Sequence, residues 1–364
     1  MGSGTALNSR LMRRALRRSV TQIRYVSIVP PGKAGGVVAD VYAQMERDFG
    51  MLAPPVVLHS PAEGPLAACW VMLRESLLAQ GASDRAAKET VAAAVSLGND
   101  CPYCVAVHGA VLAGLDHKPE AAVIAGDRLG AITDPALRDL AIWARSTGRR
   151  TAGPPPALPY SAEQMAELAA VAVTFHYLNR MVTVFCEQTP LPGAVPAGLA
   201  GGLMSVLGRF LGHMARTAPQ PGASLDLLPE PWPAGEPAAG ELRWAAASGS
   251  ITKAFARAGA VIEAAAGPAV TGPVRELVRG ELAGWDGRPR GPGRSWADDA
   301  VSGLPVADRI AGRLALLTAF APHQISQKDI GEFRGGRFTD RELIELTAWA
   351  SLAAARQAGN WLAG

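Results

Sequence analysis

The chain has 364 residues, of which 49% are hydrophobic and 18% are charged, and its 40 glycines and 28 prolines are too few for a disordered or low-complexity chain. This composition indicates a soluble globular protein that is long enough for two domains. No segment approaches the roughly 20 uninterrupted apolar residues of a membrane-spanning helix. The basic N-terminus also lacks the apolar core of a secretory signal, so we expect a cytoplasmic protein without a membrane span.

The formal net charge of +3 is unevenly distributed along the chain. Seven basic residues precede the first acidic residue, Asp40, and without those seven the net charge would be −4. The folded body is therefore expected to have no general basic surface, and we predict no nucleic-acid partner. Residues 1–36 are interpreted as a basic N-terminal arm that is solvated, docks on another subunit or weakly contacts an anionic surface.

The remaining sequence predicts an all-α fold. Alanine-rich segments with apolar residues at every third or fourth position recur from about Val41 onward, while alternating β-branched runs are nearly absent. The proline- and glycine-rich stretch at 217–239 is the best candidate for an interdomain linker. We therefore predict a first helical module over 37–216 and a second over 240–364.

A faint internal repeat supports this division. Glu89 is followed ten residues later by Asn99, and Glu276 is followed ten residues later by Asp286. The second copy contains no cysteine, and Arg288 stands where the first copy has the first cysteine of its pair. We therefore expect a degenerate second module that covers an apolar face of the first without dithiol chemistry.

Four cysteines are too few for a disulfide scaffold, which favours a reducing compartment. Cys101 and Cys104 form a CxxC pair, whereas Cys69 and Cys186 stand alone among apolar neighbours. In a reducing compartment a single CxxC is more often redox-active or metal-binding than structural. The pair is therefore the first candidate for a functional site.

Helix signals surround this pair. Ser83 or Asp84 is suited to cap one helix, which Gly98 ends, and Asn99 or Asp100 is suited to cap the next, which runs from the first cysteine toward Gly114. Both cysteines would then lie at a helix N-terminus, where unpaired N–H groups favour a thiolate. The sequence thus predicts an activated dithiol with a lowered thiol pKa.

On such a helix, residues three and four positions apart share one face, so Cys101, Cys104 and His108 should form one stripe. Cα atoms three residues apart lie about 5 Å from each other, which is within the disulfide range. Glu89 lies on the preceding helix, and an antiparallel hairpin would bring its carboxylate beside His108. A carboxylate, an imidazole and a thiol so arranged can relay a proton to create a nucleophile.

Other interpretations of these residues stay open. A CxxC near a histidine could bind zinc, although a structural zinc site needs four ligands and no second motif of that kind occurs. Both cysteines could also be inert buried residues. His176 and Tyr177, on a later apolar segment, are interpreted as core residues rather than as part of a substrate pocket.

The spacing of Glu89, Asn99, Cys101, Cys104 and His108 resembles the motif E-x11-C-x2-C-x3-H of the alkylhydroperoxidase AhpD-like, or carboxymuconolactone decarboxylase, superfamily. The resemblance covers about 37–185, and the whole chain is similar to the longer tandem members of that superfamily. Decarboxylating members lack the cysteine pair, so its presence favours redox chemistry. A decarboxylase-like biosynthetic or catabolic enzyme and a non-catalytic helical assembly module remain the alternatives.

The resemblance implies that Cys104 reacts with a hydroperoxide and that Cys101 resolves the product as a disulfide. Glu89 and His108 would form the proton relay, and no cofactor is expected besides this redox-active disulfide. The expected partners are a hydroperoxide or other small molecule, a dithiol or lipoyl-bearing reductant protein, and further copies of the chain in a homo-oligomer. The chain departs from its best-understood relatives by having no histidine between the two cysteines.

Overall fold

The computed structural model describes residues 22–150, 157–191, 195, 197–229, 242–267, 269–336 and 338–363. These ranges contain 15 α-helices, and their only extended pairing is an isolated bridge between Ile23 and Cys186. The all-α prediction is confirmed. The helices are α1 (Gly36–Asp48), α2 (Pro54–Val57), α3 (Glu63–Leu73), α4 (Arg85–Gly98), α5 (Pro102–Gly114), α6 (Lys118–Ala125), α7 (Pro135–Ser146), α8 (Ala162–Phe185), α9 (Ala197–Ala215), α10 (Gly249–Ala265), α11 (Gly272–Ala283), α12 (Ser295–Val301), α13 (Arg309–Phe320), α14 (Gln327–Gly335) and α15 (Asp340–Leu362).

Helix α8 is the central element of the first half. It begins with a capping box in which Ser161 and Gln164 satisfy each other's backbone N–H groups. Its length and apolar composition would be sufficient to cross a membrane, but 89% of its most apolar window is buried inside the protein. Helix α8 therefore has the burial expected of a core helix.

Helices α4 and α5 form a hairpin beside α8, and α9 lies across α5. The α5–α9 crossing is very close because glycines meet there. A Cβ atom on Gly208 would lie 2.4 Å from the carbonyl oxygen of Ala110, and one on Gly212 would lie 2.5 Å from the carbonyl oxygen of Gly114. This close crossing places α9 directly over the helix that carries the cysteines.

The two halves share one continuous hydrophobic core. Helix α15 packs along α8, and α10 packs on α3. A polar contact joins the halves as well, because Arg180 Nε of α8 donates to the carbonyl oxygen of Ala319 at 2.9 Å. The second half thus covers apolar faces of the first, whereas the module boundaries at 37, 217 and 240 remain predictions.

Residues 217–229 of the predicted linker are attached to the first half. Directly after α3, Arg74–Leu78 form a π-helical turn that carries a buried glutamate, Glu75. One oxygen of Glu75 accepts the backbone N–H of Gly222 at 2.6 Å, and the other accepts the hydroxyl of Ser224 at 2.5 Å. Residues 230–239 of the predicted linker lie outside the described residues.

Residues 1–21 of the predicted N-terminal arm also lie outside the described residues, but the segment that follows contacts both halves. The backbone N–H of Arg24 donates to the carbonyl oxygen of Phe185 at 2.6 Å. The backbone N–H of Ser27 donates to Asp340 Oδ2 at 2.8 Å. Residues 24–27 are therefore part of the folded body.

Candidate active site

The hairpin of α4 and α5 has nearly the predicted boundaries. Asp84 caps α4 by accepting the N–H of Ala87 at 2.7 Å, and Asn99 follows its last residue. The prediction that Asn99 or Asp100 caps α5 is wrong, because Cys101 itself is the N-cap residue. The side chain of Asn99 instead turns inward to residues of α8. Cys101 and Cys104 nevertheless lie at the start of a helix, as expected.

The hairpin brings Glu89 and His108 together. Glu89 Oε2 lies 2.7 Å from His108 Nδ1, and Glu89 Oε1 lies 2.7 Å from Arg85 Nη2 one helical turn earlier. Burial by itself would raise the pKa of Glu89, but the charge of Arg85 and the hydrogen-bonded His108 outweigh it and hold that pKa below its ordinary value. Glu89 is therefore a carboxylate at neutral pH although no part of it is exposed.

His108 is held from a second side by an aromatic ring. Phe175 of α8 meets the imidazole edge-on, with 4.5 Å between ring centroids. The imidazole is thus oriented by the Glu89 carboxylate at Nδ1 and by the perpendicular ring of Phe175. This leaves Nε2 as the ring nitrogen that is available to a reacting group.

Both cysteines of the pair are buried free thiols. The pKa of Cys104 lies well above the ordinary thiol value, because its sulfur is hydrogen-bonded to Cys101, is buried, and would be repelled by a charge on Cys101. The prediction of a lowered thiol pKa is wrong for Cys104, since burial and the adjacent sulfur outweigh the helix N-terminus. Cys104 therefore needs a base to lose its proton.

A cavity of about 350 Å3 opens beside the thiol of Cys104, and both Cys104 and His108 line it. Most of its other walls are apolar and include Phe175 and Leu178 of α8. Helix α9 forms one side with the following residues: Leu203, Val206, Leu207 and Leu211. Leu203 and Val206 are also 44% and 37% exposed, so the cavity reaches the surface along α9.

Several residues of this site escaped sequence reasoning. Arg85 had a usable signal, because it stands four residues before Glu89 on a predicted helix. The cavity-lining residues of α9 had no such signal, since about a hundred residues separate them from the cysteines. Cys186 is also close enough to the pair for its charge to raise the pKa of Cys104, so it does not stand apart from the site.

His176 and Tyr177 are buried, which confirms their interpretation as core residues. The hydroxyl of Tyr177 lies 2.7 Å from Nε2 of the equally buried His59. Within the described ranges, no three histidine, cysteine, aspartate or glutamate side chains are grouped in a way that could hold a metal ion.

Comparison with known proteins shows which family the chain belongs to. No protein-family model matches the chain. The curated protein "Alkyl hydroperoxide reductase Rv2159c" of Mycobacterium tuberculosis is 36% identical over 345 residues, which cover 93% of this chain and 95% of that protein. The chain belongs to the same alkylhydroperoxidase family. The 345 matched residues are more than either half of the chain contains. The similarity therefore extends well beyond the segment that carries the motif.

Proposed function

We propose that the protein is a thiol-dependent hydroperoxidase in which Cys104 attacks the peroxide. Cys101 resolves the product, and His108 and Glu89 move the proton. The observation that carries this proposal is that His108, whose Nδ1 lies 2.7 Å from Glu89 Oε2, lines the same cavity as Cys104. A base oriented by a carboxylate beside a nucleophile is the arrangement that covalent catalysis requires.

In the first step, His108 Nδ1–H donates to the Glu89 carboxylate, and Nε2 accepts the proton of the Cys104 thiol. The thiolate attacks the outer oxygen of the hydroperoxide, an S–O bond forms and the O–O bond breaks. The departing alkoxide takes the proton from the imidazolium and leaves as an alcohol. Cys104 is then a sulfenic acid. During this step, the negative charge of Glu89 stabilises the transient imidazolium of His108.

In the second step, Cys101 gives up its thiol proton and its sulfur attacks the Cys104 sulfur. An S–S bond forms, the S–O bond of the sulfenic acid breaks, and the departing hydroxide takes up the proton released by Cys101 and leaves as water. Two thiols have then given two electrons to one peroxide, so a dithiol must return two electrons by thiol–disulfide exchange. Because the cavity walls are mainly apolar, we propose that the reductant presents an apolar arm such as a lipoyl group.

The cavity also supports a substrate class. A largely apolar space of about 350 Å3 suits a hydrocarbon chain, whose transfer from water is favourable, and gives little advantage to hydrogen peroxide. The name of the mycobacterial relative refers to alkyl hydroperoxides. We therefore propose an organic hydroperoxide as the substrate of this site.

The test is stopped-flow consumption of cumene hydroperoxide by pre-reduced protein. Wild-type protein should consume about one equivalent per CxxC pair, and mass spectrometry should then find the peptide with Cys101 and Cys104 lighter by two hydrogens. Cys104→Ser should reduce consumption to background. The matched control is Cys69→Ala, which removes a buried thiol of α3 and should react like wild type. Equal consumption by wild type and Cys104→Ser would disprove the assignment.

A further inference from the structure

Tyr103, which stands between the two cysteines, is a buried tyrosine that the steps above leave without a role. Only 4% of it is exposed. Buried tyrosine hydroxyls usually have a hydrogen-bond partner, and those of the other two buried tyrosines do. The hydroxyl of Tyr42 donates to the carbonyl oxygen of Val29 at 2.9 Å. The hydroxyl of Tyr177 lies 2.7 Å from Nε2 of His59.

The hydroxyl of Tyr103, in contrast, has no hydrogen-bond partner among the residues that the structure describes. Its oxygen is also not one of the described side-chain atoms that are both completely buried and unpartnered. Part of this oxygen is therefore accessible although the residue as a whole is buried. The open space that Tyr103 borders is the cavity beside Cys104, so the hydroxyl is accessible from that cavity.

Helix α5 presents two neighbouring stripes to this cavity. Tyr103 and Val107 are four residues apart on one stripe, and Cys104 and His108 are four residues apart on the other. A hydroperoxide that reaches the Cys104 thiol therefore lies against the wall that Tyr103 helps to form.

Polar hydrogens are scarce in this cavity. Among its described lining residues, only Tyr103, Cys104 and His108 carry an N–H, O–H or S–H group on the side chain. In the proposed first step, His108 takes up the proton of Cys104, which leaves the hydroxyl of Tyr103 as the donor without a task. Burial raises the pKa of Tyr103 well above its ordinary value, so this hydroxyl keeps its proton and is a donor at neutral pH.

We propose that Tyr103 is a catalytic residue whose hydroxyl donates a hydrogen bond to the inner, carbon-bearing oxygen of the hydroperoxide. Apolar cavities orient their ligands through a few placed polar groups of this kind. The role in turnover rests on the proposed hydroperoxidase function, whereas the presence of a donor in the cavity does not.

The hydrogen bond becomes stronger as the reaction proceeds. When the Cys104 sulfur attacks the outer oxygen and the O–O bond breaks, negative charge develops on the inner oxygen, and a donor already in place stabilises that charge. Tyr103 keeps its proton throughout. The proton that completes the alcohol still comes from the His108 imidazolium, so the balance of the first step is unchanged.

The first test is stopped-flow oxidation of pre-reduced Tyr103→Phe, which keeps the aromatic ring and removes the hydroxyl. With tert-butyl hydroperoxide, whose alkoxide is a poor leaving group, the reaction should be slower than wild type by about tenfold or more. With perbenzoic acid, whose carboxylate leaves without help from a donor, the rate should stay close to wild type. An unchanged rate with tert-butyl hydroperoxide, or equal slowing with both peroxides, would overturn the proposal.

The matched control is Tyr177→Phe, which removes the hydroxyl of a buried tyrosine whose partner is His59. Both peroxides should oxidise this variant at the wild-type rate. If it reacted as slowly with tert-butyl hydroperoxide as Tyr103→Phe, loss of any buried hydroxyl would explain the effect, and the proposal would be overturned.

The same pair of variants tests whether the hydroxyl of Tyr103 is free in the folded protein. In urea unfolding, Tyr177→Phe should lower the midpoint because His59 loses its partner. Tyr103→Phe should leave the midpoint unchanged or raise it, since no hydrogen bond within the protein is lost. Equal losses in both variants would show that another group of the protein holds the hydroxyl of Tyr103, and would overturn the proposal.

A binding measurement tests the donor without any peroxide. Cumyl alcohol and tert-butylbenzene have nearly the same shape, but only the alcohol has an oxygen that accepts a hydrogen bond. By titration calorimetry, wild type should bind cumyl alcohol about threefold to tenfold more tightly than Tyr103→Phe does, and both proteins should bind tert-butylbenzene equally.

Equal affinities of both proteins for cumyl alcohol would overturn the proposal. A wild type that consumes no hydroperoxide but shows the expected preference would refute the proposed function alone, because the donor in the cavity would still have been detected.

Discussion

Helices α4 and α11 carry the two glutamates that the predicted internal repeat aligns, yet only α4 contributes to the candidate site. Glu89 lies five residues after the N-cap Asp84, and Glu276 lies five residues after the N-cap Thr271. Glu89 is fully buried against His108, whereas Glu276 is exposed. The same distance from the helix N-cap therefore does not decide whether a glutamate is buried and paired with a histidine.

The segment that follows each helix makes the difference. Three residues after α4, the chain enters α5, a helix of 13 residues that begins after its N-cap residue Cys101 and contains Cys104 and His108. After α11, residues 284–294 form no helix, and the seven-residue α12 begins only at Ser295. Arg288, the counterpart of Cys101, lies in this non-helical segment. The second half thus lacks the helix that would cover its glutamate.

The long helices α8 and α15, in contrast, keep a shared structural feature. Each begins with a capping box, and each carries a buried glutamate six residues after its cap: Glu167 after Ser161 and Glu345 after Thr339. These helices pack against each other at the centre of the shared core. The comparison teaches that packing features agree between the halves where catalytic features do not.

The largest effect should come from removing the second half. A fragment that ends at Arg216 leaves the apolar faces of α3 and α8 uncovered, and large exposed apolar surfaces cause association. We expect this fragment to aggregate during size-exclusion chromatography, while co-expression with residues 217–364 restores soluble protein. A soluble, monomeric and fully active fragment would show that the second half is an independent appendage.

The next effect concerns the two corresponding glutamates. Glu89→Gln should fold but slow peroxide consumption by roughly ten-fold to ten-thousand-fold, the range for loss of acid–base assistance, because a neutral amide cannot stabilise the His108 imidazolium. Glu276→Gln is the matched control and should keep the wild-type rate. Equal rates in wild type and Glu89→Gln would remove Glu89 from the relay.

The smallest effect tests the contact between the halves. Gly287 has a φ of +88°, and a Cβ there would lie 2.1 Å from the carbonyl oxygen of Gly148 in the first half. Gly291 has a similar φ of +86° but nothing within 4 Å of a Cβ. In urea unfolding, Gly291→Ala should lower the free energy of unfolding by about 1–2 kcal/mol for the left-handed backbone alone.

Gly287→Ala should lower the free energy of unfolding further, by roughly another 1–3 kcal/mol, because the added methyl group also collides with Gly148. The difference between the two variants isolates the contact between the halves from the backbone strain that they share. If both variants lost the same free energy of unfolding, the 284–294 segment would be able to move away from the first half without a loss of stability.

The predictable features of the site depended on local signals. The cap at Asp84, the break at Gly98 and the 3–4 spacing of the motif are properties of short segments, so they predicted a helical hairpin with Glu89 beside His108. The raised pKa of Cys104 was not predictable in this way, because it depends on how deeply other helices bury the sulfur. The hydrogen bonds from Asn99 to His176 and Asn179 were likewise not predictable, since these residues come from distant segments.

The amino-acid sequence alone determined the all-α class, the family resemblance and the candidate site residues, because capping, periodicity and motif spacing act within a few helical turns. Only the tertiary structure decided that α9 closes the cavity and that Arg85 and His108 hold a buried Glu89 ionised. The physical reason is that desolvation, ion pairing and hydrogen-bond direction depend on side chains from all packed helices, whose approach no single segment specifies.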